Sequence, residues 1–313
     1  MSSSHERDAV GPFADRIFIV LNPTAGQDAP ARLRRAIGRA FAARGALFDL
    51  VETRYAGHAT ELTRVAVMRG YRAVCVVGGD GTIAEAATAL AGTEVPLALI
   101  PRGTANQLAR NLKIPTRLDA AVEVATRGAP TPMDLGRIDG RAFALVAGAG
   151  YDAAVMATAT RPLKDRWGFA AYVYAAVKAA IHATPARFHV VADGREVEVS
   201  AVSVMIANIG ELFTAFLPFG LPLVPHPARS WQDGLLDVLV VAPRNLPDLA
   251  AVLWRAARRK FSGDDRLLHF QAREVWIQAE PVVPVEIDGD TVGETPVTAS
   301  VLRQGIRVLT PGG

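Results

Sequence analysis

The run VVGGDGTIAE, Val76 to Glu85, sets a single carboxylate, Asp80, among three glycines at the end of an apolar stretch. Glycine tolerates positive φ and lets a ligand approach the backbone with no Cβ in the way. A helical pattern begins at once, and a helix start offers unpaired N–H groups and the positive end of the dipole, which suit phosphate. Two other loops share this texture, NPTAG (Asn22–Gly26) and PRGTAN (Pro101–Asn106). Thr82 and Thr104 stand where they can cap the following helices and donate to phosphate oxygens. Each loop alone reads equally well as a tight turn; three at equivalent places point to one site. A carboxylate beside phosphates is repulsive unless a cation or a proton intervenes. Asp80 therefore implies Mg²⁺, direct or through water, or an acid–base role.

The better-known phosphate signatures are missing. No Gly is followed by Lys, so there is no P-loop, and GGDGTI lacks the third glycine of the dinucleotide fingerprint. The protein-kinase triplets H-R-D and D-F-G are absent, as is H-E-x-x-H, and the histidines share no metal-ligand spacing.

The elements that must hold these loops alternate along the first part of the chain. RIFIVLNP precedes a helix with Leu33, Ile37 and Phe41 on one face, and LFDLVET precedes a helix from near His58. AVCVVGG leads into the helix from Thr82, and PLALIPRG into one from Thr104. Four strand–loop–helix units predict a parallel sheet covered on both faces, with ligands at the carboxyl ends of its strands. Beyond about Asp134 the texture becomes β-rich, with period-two runs separated by turns such as Asp193-Gly194 and Asp288-Gly289. The expected organisation is an α/β nucleotide-binding domain over 14–135 and an antiparallel β-sandwich over 136–300, with 300–313 returning to the first domain. Within the second part, Asp165 to His182 and LPDLAAVLWRAARRK read as helices.

Half the residues are apolar and 21% charged, the profile of a globular protein with ample core. The formal net charge is +3, and only four of the 34 basic residues are Lys. Arginine's planar fork suits anionic ligands or lipid headgroups. The densest basic block, RAARRK (Arg255–Lys260), is too sparse to predict nucleic-acid binding. The lone Cys75 sits mid-strand, consistent with a reducing cytoplasm. MSSSHERDAVGPFAD reads as a disordered tail and not a signal peptide, and no apolar stretch approaches the length of a spanning helix.

VVGGDGTIAE followed by PRGTANQLARNL, with LNPTAG upstream, resembles the lipid-kinase family that includes soluble bacterial diacylglycerol kinases, sphingosine kinases and ceramide kinases. PMDLGRIDG, DGLLDVLVV and VEIDGDTVGETPVTASV follow in the family's order, so the resemblance runs from about Arg16 to Pro311. It implies an α/β domain related to that of NAD kinases joined to a β-sandwich, with ATP as co-substrate, Mg²⁺, and a lipid acceptor, diacylglycerol first; the alternatives are a sphingoid base, ceramide or another glycerolipid as acceptor, or a nucleotide-binding regulatory protein with degenerate catalysis. It implies a peripheral enzyme at a membrane surface and no transmembrane segment; a homodimer is left open.

Residue by residue, the resemblance implies that Asn22, Pro23, Thr24, Ala25, Gly26, Thr53, Gly79, Asp80, Gly81, Thr82, Glu85 and Thr104 bind the nucleotide. Asp80 would organise Mg²⁺ with Asp134 of MDLG. Asp288 and Asp290 of EIDGD would act jointly as catalytic base, although Asp-Gly is also an ordinary hairpin turn. A second, structural Mg²⁺ would sit on Asp233 with the carbonyls of Ser230 and Leu235, where a plain turn is the competing reading. Three departures from the family stand out. Gln107 replaces an Asp of the metal network, Ala84 replaces a common Asn, and Asp290 replaces a Glu with a side chain one methylene shorter. Where many bacterial relatives are glycine-rich, LFTAFLPFGLPLVPHPARS is apolar and is expected either to pack on the sandwich or to meet a bilayer or acyl chain.

Overall fold

Strands in a sheet covered on both faces have no polar side to show, and RIFIVL and AVCVVG fulfil this condition: all of the latter and nearly all of the former is buried. A computed structural model describes residues 12–26, 29–150, 185–209, 211–212, 221–222, 231–245, 247–248, 251, 254–255, 258 and 265–312. It divides into two units, Met1–Met133 with Gln304–Gly313, and Asp134–Arg303.

The first unit runs β1 (Arg16–Leu21), α1 (Pro30–Ala42), β2 (Leu47–Glu52), α2 (His58–Met68), β3 (Ala73–Gly78), α3 (Asp80–Leu90), β4 (Leu97–Pro101), α4 (Gln107–Asn111), α5 (Leu118–Arg127) and the start of β5 (Ala129–Ile138). The strands lie in the order β2-β1-β3-β4, all parallel, and the end of the chain joins β4 in parallel with Val308 opposite Leu97. Leu33, Ile37 and Phe41 of α1 pack with Val122 and Ala125 of α5 over Ile17, Ile19, Cys75 and Ile100. The chain leaves β1 to one side for β2 and returns to its other side for β3. This reversal opens a crevice at the carboxyl ends of β1 and β3, the usual ligand position in such sheets.

Two local expectations are corrected here. Residues 12–15, counted in the expected disordered tail, are held in a turn, because Phe13 stacks on Tyr71 with ring centroids 4.6 Å apart and its carbonyl accepts the Arg16 N–H. The helix expected from Thr104 begins at Gln107: Asn106 is left-handed at φ 49° and its side chain bonds both backbone groups of Gly103, which closes residues 103–106 into a turn.

The second unit holds the end of β5, then β6 (Arg141–Phe143), β7 (Val146–Gly150), β8 (Ala186–Ala192), β9 (Arg195–Ala201), β10 (Ser203–Ala207), β11 (Glu211–Leu212), β12 (Leu221–Pro222), β13 (Leu236–Val241), β14 (Leu267–Ala272), β15 (Glu274–Glu280), β16 (Pro284–Ile287), β17 (Asp290–Glu294) and most of β18 (Val297–Thr310). One antiparallel sheet runs β14-β13-β10-β7-β16-β17; the other places β18, β15, β8 and β9 side by side. Alternate residues of the two, such as Ile206, Val238 and Ile287 against Phe188, Val190 and Ile277, share one core, the signature of a sandwich. The predicted Asp-Gly turns close β8–β9 and β16–β17, with positive φ at Asp193, Gly194, Asp288 and Gly289.

The chain is therefore an α/β unit with a parallel sheet and a unit of antiparallel sheets. Among the described residues no helix is long and apolar enough to cross a membrane. The Asp165–His182 helix and most of the apolar run from Leu212 lie outside the described residues, as does much of LPDLAAVLWRAARRK.

Gly136 of MDLG pairs with Phe143, and a Cβ there would fall 1.9 Å from the buried ring. Gly136→Ala is expected to destabilise the protein by about 1–3 kcal/mol through overpacking. Urea unfolding should show a lower midpoint at unchanged m; an unshifted midpoint would remove this account of the glycine.

Candidate active site

Three loops leave the carboxyl ends of β1, β3 and β4, and they touch pairwise. Asn22 extends the β1–β3 ladder, its N–H donating to the Val77 carbonyl at 2.9 Å. Its side chain donates through Nδ2 to Thr82 Oγ1 at 2.9 Å, and its Oδ1 accepts from Thr24 N and Oγ1 at 3.0 and 2.9 Å. Gly26 is at φ +80°, and a Cβ on it would lie 3.1 Å from the Arg102 carbonyl oxygen. A Cβ on Gly103 would lie 2.6 Å from Gly79 Cα. Small residues are thus required where the loops converge. Pro23 and Ala25 complete the first turn, Ala25 buried. The Thr53 N–H donates to the Leu21 carbonyl at 2.8 Å, and Thr104 stands exposed.

Helix α3 begins on extended Gly79 with no side-chain cap, leaving the first-turn N–H groups of Asp80, Gly81 and Thr82 without intrahelical partners. Thr82 does not cap α3, because its hydroxyl is committed to Asn22. Asp80 reaches the next helix: Oδ1 accepts the Leu108 N–H at 3.2 Å and so caps α4, whose N-cap Asn106 makes no side-chain cap of its own. Burial pushes the Asp80 carboxyl above its usual range, and backbone N–H groups of Gln107, Leu108 and Asn106 pull the other way. Glu85 serves the neighbouring helix, its two oxygens accepting from Gly57 N at 2.9 Å and Ala59 N at 3.0 Å at the start of α2.

The remaining predicted carboxylates lie in the second unit. Asp134 is buried; Oδ2 accepts the Gly234 N–H at 2.8 Å and its carbonyl accepts from Asn208 Nδ2 at 2.8 Å. Asp233 Oδ1 accepts the Leu235 N–H at 3.0 Å, the Asx turn that competes with a metal role, and Oδ2 accepts from Gln271 Nε2 at 3.3 Å. Surrounding protein, then the charges of Asp237 and Asp134, pushes the Asp233 carboxyl up. Ser230 lies outside the described residues. Asp288 and Asp290 are unlike each other. The Asp288 carboxylate accepts three backbone N–H groups, Ala144 at 2.9 Å, Leu145 at 2.9 Å and Val146 at 3.0 Å. Asp290 is exposed at the start of β17.

Two pairings escaped the sequence reading. Asn106 locks the PRGTAN turn onto Gly103, a contact signalled only by the three-residue spacing of Gly and Asn. His269 Nε2 lies 2.8 Å from Oδ1 of the buried Asp237, on neighbouring strands, where the sole clue was an Asp inside the apolar run LLDVLVV.

Comparison with known proteins follows this division. Residues 16–138 match the diacylglycerol kinase catalytic domain, and residues 145–310 match the YegS C-terminal NAD kinase beta sandwich-like domain. The chain belongs to the diacylglycerol kinase family of lipid kinases. It is a phosphotransferase, and a kinase domain implies ATP as the phosphoryl donor. It is 30% identical over 306 residues to a diacylglycerol kinase of Mycobacterium tuberculosis, covering 95% of both chains. To a YegS-like lipid kinase of Pseudomonas aeruginosa it is 30% identical over 310 residues, 96% of this chain and 95% of the relative. An uncharacterized protein of Synechocystis is also 30% identical, over 238 residues, and this chain spans 54% of its length. A solved structure from Bacillus anthracis assigned to the diacylglycerol kinases superimposes with TM-score 0.80 at 25% identity, covering 95% of each chain.

Among the described residues no three His, Cys, Asp or Glu side chains converge as a metal cage. Mg²⁺ is commonly held by one or two carboxylates, waters and the phosphates it accompanies. Asp80 places a carboxylate beside the converging loops, the kind of ligand Mg²⁺ takes, so the residues present fit it.

The raised Asp80 carboxyl fixes the sign of a stability effect. A carboxyl with a folded-state value above its unfolded one is ionised at a cost at neutral pH, a cost absent below the unfolded value. Asp80→Asn is therefore expected to raise the melting temperature at neutral pH while abolishing turnover. Its advantage should shrink as pH falls into the carboxylate range. Melting temperatures across pH check this; a variant less stable than the parent at neutral pH would contradict it.

Proposed function

We propose that this kinase transfers the γ-phosphoryl of ATP, with Mg²⁺, to the hydroxyl of a membrane lipid, diacylglycerol giving phosphatidic acid. The observation that carries the reading is the convergence of three small-residue loops on the uncapped start of α3, with the half-buried Asp80 beside them. Full-length similarity to proteins named diacylglycerol kinase supports the acceptor.

In this reading Asn22–Gly26, Thr53, Gly79–Thr82 and Thr104 bind and orient the nucleotide, and Glu85 supports them by fixing α2 against α3. Mg²⁺ supplies charge neutralisation on the transferring phosphoryl, and Asp80 would hold it. Phosphoryl transfer demands mainly positioning and screening of charge, which backbone donors and a carboxylate provide. The acceptor oxygen forms a bond to the γ-phosphorus as the bond to the bridging oxygen breaks, ADP leaves, and the hydroxyl proton passes to a carboxylate. We assign that proton to Asp290. The Asp288 carboxylate is committed to three N–H groups that pin residues 144–146, which makes it a positioning residue. Asp233 closes its own turn; a structural Mg²⁺ there would draw on its Oδ2 and the Leu235 carbonyl.

The test is transfer from γ-labelled ATP into neutral-detergent micelles of diacylglycerol, ceramide, sphingosine and phosphatidylglycerol, each offered separately. Label in diacylglycerol is expected, and Asp290→Asn should lower kcat about 10²–10⁴-fold at an unchanged melting temperature, the range for loss of a general base. Asp288→Asn should instead destabilise by about 1–3 kcal/mol, the cost of under-satisfied buried N–H groups. Label in another lipid alone would replace the acceptor. Full turnover by Asp290→Asn would return the base to an unidentified group.

A further inference from the structure

Asn208 directly follows β10 and is wholly buried. Its N–H donates to the Leu145 carbonyl at 2.9 Å, just past the Ala207–Val146 pair of the β10–β7 ladder. The side chain acts as a double donor: Nδ2 reaches the Asp134 carbonyl at 2.8 Å and the Ala144 carbonyl at 3.1 Å. Oδ1 is buried as well and accepts nothing among the described residues. An unpaired buried acceptor is costly, so the amide is accounted for by its two donors and not by its oxygen. Few side chains of this size could replace it. Aspartate has the same shape but no donor when ionised, and would face two carbonyls; serine has a single donor.

The two carbonyls belong to segments tied to the acids expected at the site. Asp134 also holds the Gly234 N–H through its carboxylate. Ala144 donates its own N–H to Asp288 Oδ2, and Asp288 in turn donates its N–H to the Val146 carbonyl. Asp290 stands just beyond Asp288, across the turn between β16 and β17. A continuous path of bonds thus runs from the Asn208 amide through residues 144–146 to the turn that presents Asp290. We propose that Asn208 is a positioning residue for phosphoryl transfer, its amide fixing the 144–146 loop and, through it, the place of the Asp290 carboxylate. This rests on the assignment of Asp290 as the proton acceptor. The competing role is an amide that serves only the stability of the sandwich, which demands no energetic tie to Asp290. A bonded path becomes a functional one only when such a tie is measured.

The experiment is transfer from γ-labelled ATP by the full chain into whichever of the four lipids takes label. We would measure kcat, KM for ATP and melting temperature for Asn208→Ser, Asn208→Asp, Asp290→Asn and Asn208→Ser/Asp290→Asn. Misplacing a reacting group by about 1 Å costs about 10²-fold in rate. On that scale Asn208→Asp, with no donor left, is expected to lose about a hundredfold in kcat, and Asn208→Ser, with one, about tenfold. KM for ATP should hold at the parent's value, because the nucleotide loops belong to the other unit. In the Asp290→Asn background Asn208→Ser should cost nothing further, since the group it places is already gone. Asn208→Ser decides the question if Asn208→Asp fails to fold. A loss that repeats in full in the Asp290→Asn background would overturn the proposal, and so would a folded Asn208→Ser with parental kcat. A parent that labels none of the four lipids would remove the kinase reading and this inference with it. A parent that labels a lipid beside an unaffected Asn208→Ser would remove this inference alone.

Discussion

Two glycine backbones in near contact set the geometry on which the nucleotide-binding unit depends. Gly79 and Gly103 approach so closely that a side chain on Gly103 would overlap the Cα of Gly79. Because the loops after β3 and β4 can meet in this way, Asp80 at the head of α3 reaches the first N–H groups of α4. The same proximity brings Asn22 within reach of Thr82. A methyl group at either glycine would push apart loops that share donors, so the constraint is one of excluded volume before it is one of charge.

The carboxylates expected at the site mostly hold backbone in place. Asp288 gathers three successive N–H groups, Asp134 takes that of Gly234, Asp233 that of Leu235, and Glu85 those at the start of α2. Such bonds are charge-assisted and directional, so each acid fixes the path of a loop more firmly than a neutral acceptor would. A family motif rich in acids is therefore only partly a list of chemically active groups. In the proposed reading Asp80 combines both characters, its carboxylate held by the start of α4 and its burial raising the cost of remaining charged.

Much of the fold was legible because it rests on periodicity. Apolar runs ending in Gly and followed by helical spacing marked β1, β3 and β4 with their loops, and Asp-Gly pairs marked two hairpins of the sandwich. Element starts were less legible. Thr104 looked like a cap, but Asn106 folds back onto Gly103 and delays α4 to Gln107. Thr82 looked like a cap and is a partner of Asn22. Side-chain assignments that depend on three-dimensional register were invisible: nothing in the local sequence says that Asp288 meets residues 144–146, or that His269 meets Asp237 across a strand pair. Local spacing encodes the loop that carries a residue; the partners of that residue are set by the sheet.

The lone thiol carries a practical consequence. Cys75 lies at the centre of β3, wholly buried between neighbouring strands and layers, and burial pushes its thiol far above the range in which a thiolate forms. It is therefore silent toward oxidants and alkylating reagents while the sheet is closed. Three residues along the same strand lies Gly78, whose tight packing against Thr82 begins the loop between β3 and α3. Any event that lets a reagent reach the sulfur must first part the strands that support this loop. The molecule thus contains a single-site chemical clock for the opening of its own nucleotide-binding unit, readable without adding a label or removing a competing cysteine.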